Sequence, residues 1–264
     1  MENLLLAGRC FYGLGVAGLG FQQFIYAGFR PVFLPPWPLW VHTSALLAYL
    51  FGAALVVAGV FLMLGRKTSV ISWWLGGFFL LLFLAFHTPY LLFIGANSPR
   101  HLGLWTNPLK ELALAGGGWV ITGSGPLYER PAWARIGTIF FSIMLIAFGI
   151  DHFFYPDFVA SLVPSWIPGA LFWTYFAGVA LAGSGLALIL GIKTRQAALL
   201  LGIMLFLWLV LLHIPRALVA PATDQGNEVT SVWEALAFSG IAFVIHSQFQ
   251  PHARLNPHAA ENQS

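Results

Sequence analysis

The chain has 264 residues, of which 59% are hydrophobic, 16% aromatic and only 8% charged, with a formal net charge of +3. So few charges exclude a soluble globular enzyme and a nucleic-acid-binding surface, and place the chain among polytopic membrane proteins. The single cysteine, Cys10, excludes a disulfide framework and a dithiol relay within the chain.

A spanning helix needs about 20 mostly apolar residues. Eight stretches qualify, near 10–28, 43–64, 70–92, 108–123, 134–154, 170–191, 196–214 and 231–248. The first carries Gly13, Gly15, Gly18 and Gly20, a density of small residues that lets helix backbones approach closely in lipid. RPVFLPPWPLW follows and is too rich in proline to span. With Trp beside Pro, it reads as an interfacial lid at headgroup level, and DFVASLVPSWIPGALFW (157–173) reads the same way. GRKT (65–68) joins the second span to the third, and GIKT (191–194) the sixth to the seventh, each a tight basic turn. Residues 93–107 and PATDQGNE (221–228) form polar outer loops, and the stretch from 249 to 264 is a polar tail. In and before that tail His246, His252 and His258 recur every six residues, but no other ligand type accompanies them.

These elements occur twice. Laying Tyr175–Leu218 on Tyr49–Leu92, 126 positions earlier and without a gap, matches 16 of 44 residues, including GRKT with GIKT and HTP (87–89) with HIP (213–215). The expected fold is therefore an all-α membrane protein of eight transmembrane helices arranged as two pseudo-symmetric four-helix bundles. The first repeat covers 1–126, the second 127–248, and a cytoplasmic tail 249–264. Four spans per repeat is an even number, so both halves share one orientation and are related by a pseudo-two-fold axis along the membrane normal. Arg9, Arg66, Lys67, Arg130, Arg135, Lys193, Arg195 and Arg254 fall on one side of this topology. Arg30, Arg100, Lys110 and Arg216 fall on the other, which puts both termini in the cytoplasm of a cell inner membrane.

Ionisable groups inside a membrane are costly and draw attention as functional. Here they are Asp151, His152, His87, His213, Glu111 and Glu234, all at the outer, periplasmic ends of their spans. Each also has a structural use. His87 and His213 precede a proline that should end the helix, where an imidazole bonds orphan carbonyls. Glu111 and Glu234 sit in first turns, where the helix dipole favours acids. Asp151-His152 replaces the Gln22-Gln23 of the first half, and this asymmetry points to an acid–base pair near His213 and Glu234. Trp105, Trp233, Phe153, Phe154 and Tyr155 lie close enough in sequence to stack on a planar ring.

GIKTRQAALLLG followed by LLHIP resembles the DoxX/DoxD-like membrane proteins, and each half resembles one such unit, so the chain looks like a tandem fusion. The resemblance implies a role in quinone-linked oxidoreductases. It supports Gly191, Lys193, Thr194 and Arg195 as the turn and His213 as the outer-end histidine. A carboxylate found in the second span of many members is missing from GVALAGSG (178–185).

Three functions then compete. In a quinone-interacting oxidoreductase subunit, His213 or His152 would hydrogen-bond a quinone carbonyl and Asp151 or Glu234 would exchange the proton. His87, Glu111, Trp105, Trp233 and Tyr155 would line the ring, and the electrons would come from a bound substrate, a cofactor, or a second membrane or periplasmic subunit. A metal or haem site would draw on the same histidines and carboxylates, although short ligand spacings are missing and no residue is assigned as a metal ligand. A small-solute transporter or an assembly partner would use the outer chamber without chemistry.

Overall fold

The structure is a computed structural model that describes residues 2–94, 102–124, 131–223 and 226–249. Among the described residues helices are the only regular secondary structure, and no strand occurs. The long helices are α1 (Glu2–Tyr26), α3 (Ala45–Met63), α4 (Thr68–Leu82), α5 (Thr106–Thr122), α6 (Ala132–Phe154), α8 (Ala170–Leu190), α9 (Thr194–Trp208) and α11 (Asn227–Gln248). Short helices α2 (Leu39–His42), α7 (Pro156–Leu162) and α10 (Ile214–Val219) complete the set. Among the described residues seven helices are long and apolar enough to cross a membrane: Asn3–Tyr26, Ala45–Met63, Thr68–Phe93, Ala132–Phe154, Ala170–Leu190, Thr194–Val219 and Asn227–Gln248. The eighth expected span is α5. Its 17 residues rise about 26 Å at 1.5 Å each, short of a hydrocarbon core of about 30 Å. From Pro108 to Ile121 all but one of its residues, Lys110, are buried.

The helices pack in two rows, α4·α5·α6·α8 and α9·α11·α1·α3. The rows touch through α5 and α11, with lighter contacts between α3 and α4 and between α8 and α9. Exchanging each helix for its counterpart 126 or so residues away turns one row into the other, as a two-fold relation requires. The halves interlock: the fourth long helix of each packs on the first long helix of the other. Glycine makes these contacts close. A Cβ on Gly8 would fall 2.7 Å from the Gly240 carbonyl on α11, and one on Gly116 would strike the Gly137 carbonyl on α6.

Local geometry repeats with the sequence. Gly65 and Lys67 before α4, and Gly191 and Lys193 before α9, all hold positive φ. At the other end of both helices the turns widen to π form, at Phe83–His87 and Leu209–His213. Proline explains the widening: its ring collides with the carbonyl four residues back and it offers no N–H. The amides of Thr88 and Ile214, each just before a proline, instead reach back five residues, to Phe83 and Leu209. The prolines therefore do not end these helices, which continue to Ile94 and Val219.

The expected lid departs further from its sequence reading. Phe29, Arg30, Val32, Phe33 and Leu34 are buried, and Phe33 stacks on Phe79 at 5.5 Å and meets Phe51 edge-on at 4.9 Å. This segment plugs the bundle, and only its last part, with Leu39 and Trp40 exposed, lies at the surface. The counterpart in the second half does stay outside: α7 has no buried residue and Trp166 is 64% exposed. An apolar phenylalanine pair accounts for the difference, since Phe29 and Phe33 pack into the bundle where the second connection offers Phe158 to the surface.

Candidate functional site

The chemistry-bearing side chains gather at the end of the bundle opposite the two basic turns, in two corners fed by one helix. Lys110 and Glu111 are neighbours on α5, about 100° apart around its axis, so they face different helices. Glu111 turns toward α4. Its Oε2 lies 3.5 Å from His87 Nε2, both side chains are almost wholly buried, and neither Glu111 oxygen has a hydrogen-bond partner. His87 Nε2 also lies 3.2 Å from the Val32 carbonyl of the plug. The imidazole thus bonds the inserted segment and not the carbonyls of its own helix, as its place before a proline had suggested.

Lys110 turns toward α11 and pairs with Glu234 at 2.7 Å, the two side chains 12% and 3% exposed. The pair joins the two halves, because its members come from pseudo-equivalent helices. His213 is close enough to sense Lys110, Glu228 and Arg216 electrostatically, and Arg216 forms a two-pronged ion pair with Glu228. Glu234 therefore carries a cation where Glu111 carries a histidine. The repeat diverges here, since Trp233 stands in α11 where Lys110 stands in α5.

A third group closes the mouth beside the plug. Gln23 Oε1 accepts from the Arg30 amide at 3.1 Å, and the Arg30 guanidinium lies 4.3 Å from the centroid of the Tyr26 ring. Arg30 is 2% exposed, and burial pulls its pKa below the ordinary guanidinium value, against a smaller opposing effect of Tyr26. Gln22 Nε2 and the Tyr26 hydroxyl donate to the Gly226 and Pro221 carbonyls, so the end of α1 is tied to the start of α11. Sequence reasoning took Arg30 and Lys110 only as markers of topology. Their burial could not be seen without knowing which helices touch.

Of the residues expected to act together, His87 and Glu111 form one pair and Glu234 joins Lys110 near His213. Asp151 and His152 end α6, which packs chiefly on α5 and α8. His152 faces α8 beside Gly178, and its Nδ1 bonds the Phe148 carbonyl one turn back at 2.7 Å. Trp233 is committed to packing: its indole fills the space that a side chain at Gly18 would need. Trp105 caps α5 and packs on the core, Phe153 meets Tyr175, and Tyr155 caps α6. Among the described residues no three of His, Cys, Asp or Glu come together as a metal site would need. His252, His258, Arg100, Arg130 and Arg254 lie outside the described residues, as do 95–101 and 224–225 of the polar loops.

A family described as a domain of unknown function (DUF8561) matches residues 141–241, which begin within α6 and end within α11. No curated protein and no solved structure matches the chain.

Proposed function

We propose that the chain is the membrane subunit of a quinone-linked oxidoreductase, with eight spans, both termini in the cytoplasm and its site at the periplasmic ends of the helices. One observation carries the reading most: Glu111 is fully buried beside His87, and neither of its oxygens has a hydrogen-bond partner. A buried carboxyl with unused hydrogen-bonding capacity is costly to keep, and such groups in membranes sit where protons or ligands are handled.

Reduction of a quinone to a quinol takes up two electrons and two protons. The electrons come from a reduced donor, a substrate or partner protein at the outer face, and pass to the ring. Glu111, with His87 behind it, delivers one proton to a ring oxygen, water at the outer face supplies the second and reprotonates Glu111, and His213 orients the ring near the Lys110–Glu234 pair. The resemblance of both halves to DoxX/DoxD-like units points the same way.

The test is quinone turnover by proteoliposomes supplied with a chemical reductant. Glu111→Gln and His213→Ala are expected to lower turnover by about a hundredfold or more, the usual scale for loss of acid–base assistance, with helical content unchanged. Asp151→Asn, at the end of α6 and outside both corners, is expected to do less. Wild-type rates in Glu111→Gln and His213→Ala would remove both residues from the mechanism.

A further inference from the structure

Between α8 and α9 the lipid-facing side of the bundle opens into an apolar groove of about 750 Å3. Gly183, Ala197 and Met204 form its floor and sides, and Trp166, Trp173 and Trp208 crowd the end nearer the polar cluster. The equivalent place between α3 and α4 is largely filled. Phe51 and Phe78, 5.9 Å apart, stand where the second half has Ala177 and Met204, and Ile71 stands where it has Ala197. Only a smaller hollow of about 450 Å3 remains there, around Val57 and Phe61. In the second copy Gly183, Ala197 and Met204 give space where the first has Val57, Ile71 and Phe78, while Val179, Ile203 and Leu211 of the lining are bulkier than Ala53, Gly77 and Ala85.

The groove does not lead to the polar cluster. Ala198, Gly202, Leu209 and His213 make the face of α9 that meets α11 or the buried charges, whereas Leu200, Met204, Leu207 and Leu211 make the opposite, groove face. From Ala197 to Leu211 the groove runs about 21 Å at 1.5 Å per residue, longer than half of a hydrocarbon core of about 30 Å. One helical turn before Ala197, the first α9 residue to line the groove, Lys193 is exposed, with Arg195 two residues on. A cation one turn from a long apolar channel complements an anionic head bearing a long chain.

We propose that the α8–α9 groove binds one acyl chain of an anionic phospholipid whose phosphate is held at Lys193. The site is independent of the quinone reading, because it lies on the other face of α9. Lipid held there covers an apolar face that the second copy leaves open and fixes α9 against α8, where direct contact is light.

The test uses purified full-length protein in vesicles of phosphatidylcholine doped with phosphatidylglycerol carrying a photoreactive acyl chain, with adducts mapped by peptide mass spectrometry. Adducts are expected on α8 and α9. Lys193→Gln should reduce them about fivefold, the loss of one basic residue near an anionic surface, while Lys67→Gln in the first half leaves them unchanged. Gly183→Leu should abolish them without harming the fold, since nothing lies within 4 Å of a Cβ there. Quinone turnover in Gly183→Leu stays at the wild-type level, which separates this site from the redox site. Equal labelling by a photoreactive phosphatidylcholine, labelling undiminished by Lys193→Gln, or displacement of the label by added quinone would each overturn the proposal.

Discussion

At the scale of single residues, the costliest feature is the ion pair between Lys110 and Glu234, which joins the two halves in a nearly dry setting. Its attraction offsets the desolvation of two charges, and breaking it from one side leaves the other charge stranded. Lys110→Met is accordingly expected to destabilise the protein by about 3–5 kcal/mol, and Lys110→Met with Glu234→Gln to recover most of that loss. Equilibrium unfolding in mixed micelles measures both; equal losses in the single and double variants would show that the pair does not act as a unit. Glu111, Glu234, His87 and His213 were legible in the sequence because ionisable residues are so rare in this chain. Lys110 was equally visible but explained itself too easily as a topological charge. Trp233 erred in the other direction, since nothing local reveals that Gly18 leaves it a socket on α1.

At the scale of elements, the plug at 29–34 decides how the first half differs from the second. Prolines mark a segment that cannot be a helix, but not whether it lies on the bundle or enters it; Phe29 and Phe33 settle that by finding Phe51 and Phe79 inside. Phe33, fully buried, is expected to cost about 3–5 kcal/mol when changed to alanine. Trp40, exposed on the same connection, should change stability by less than about 0.5 kcal/mol when altered likewise. Thermal unfolding compares the two, and a small effect at Phe33 would return the segment to the surface. The His-x-Pro motifs carry a related lesson. In sequence the proline marks a stop, whereas in the fold a wider turn lets the helix pass it and leaves His87 facing the plug. The repetition of that π turn in both copies, with the proline in the same place, makes it a property of the motif.

At the scale of the whole molecule, the all-helical membrane character and the internal repeat could be read from hydropathy and the 126-residue offset, but the short, buried α5 and the order of packing could not. Both four-helix bundles standing side by side and the interlocked rows satisfy the same repeat. The decision lies in which glycines meet, and Gly8 meets Gly240 while Gly116 meets Gly137. Each half alone would therefore expose the faces of its first and fourth long helices. Residues 1–126 and 127–264 expressed separately are expected to be degraded or to aggregate, and to form a stable complex when produced together. Recovery of either half as a stable monomer would count against the interlocked arrangement.

Service of a quinone by the buried acid–base pairs at one end of this bundle is tested most directly by extracting the lipid-soluble molecules that remain with the purified protein, in the wild type and in Glu111→Gln. Quinone is expected in stoichiometric amount with the wild type, with a marked loss in the variant; wild-type protein that carries no quinone and takes none up from quinone-loaded vesicles would rule that role out.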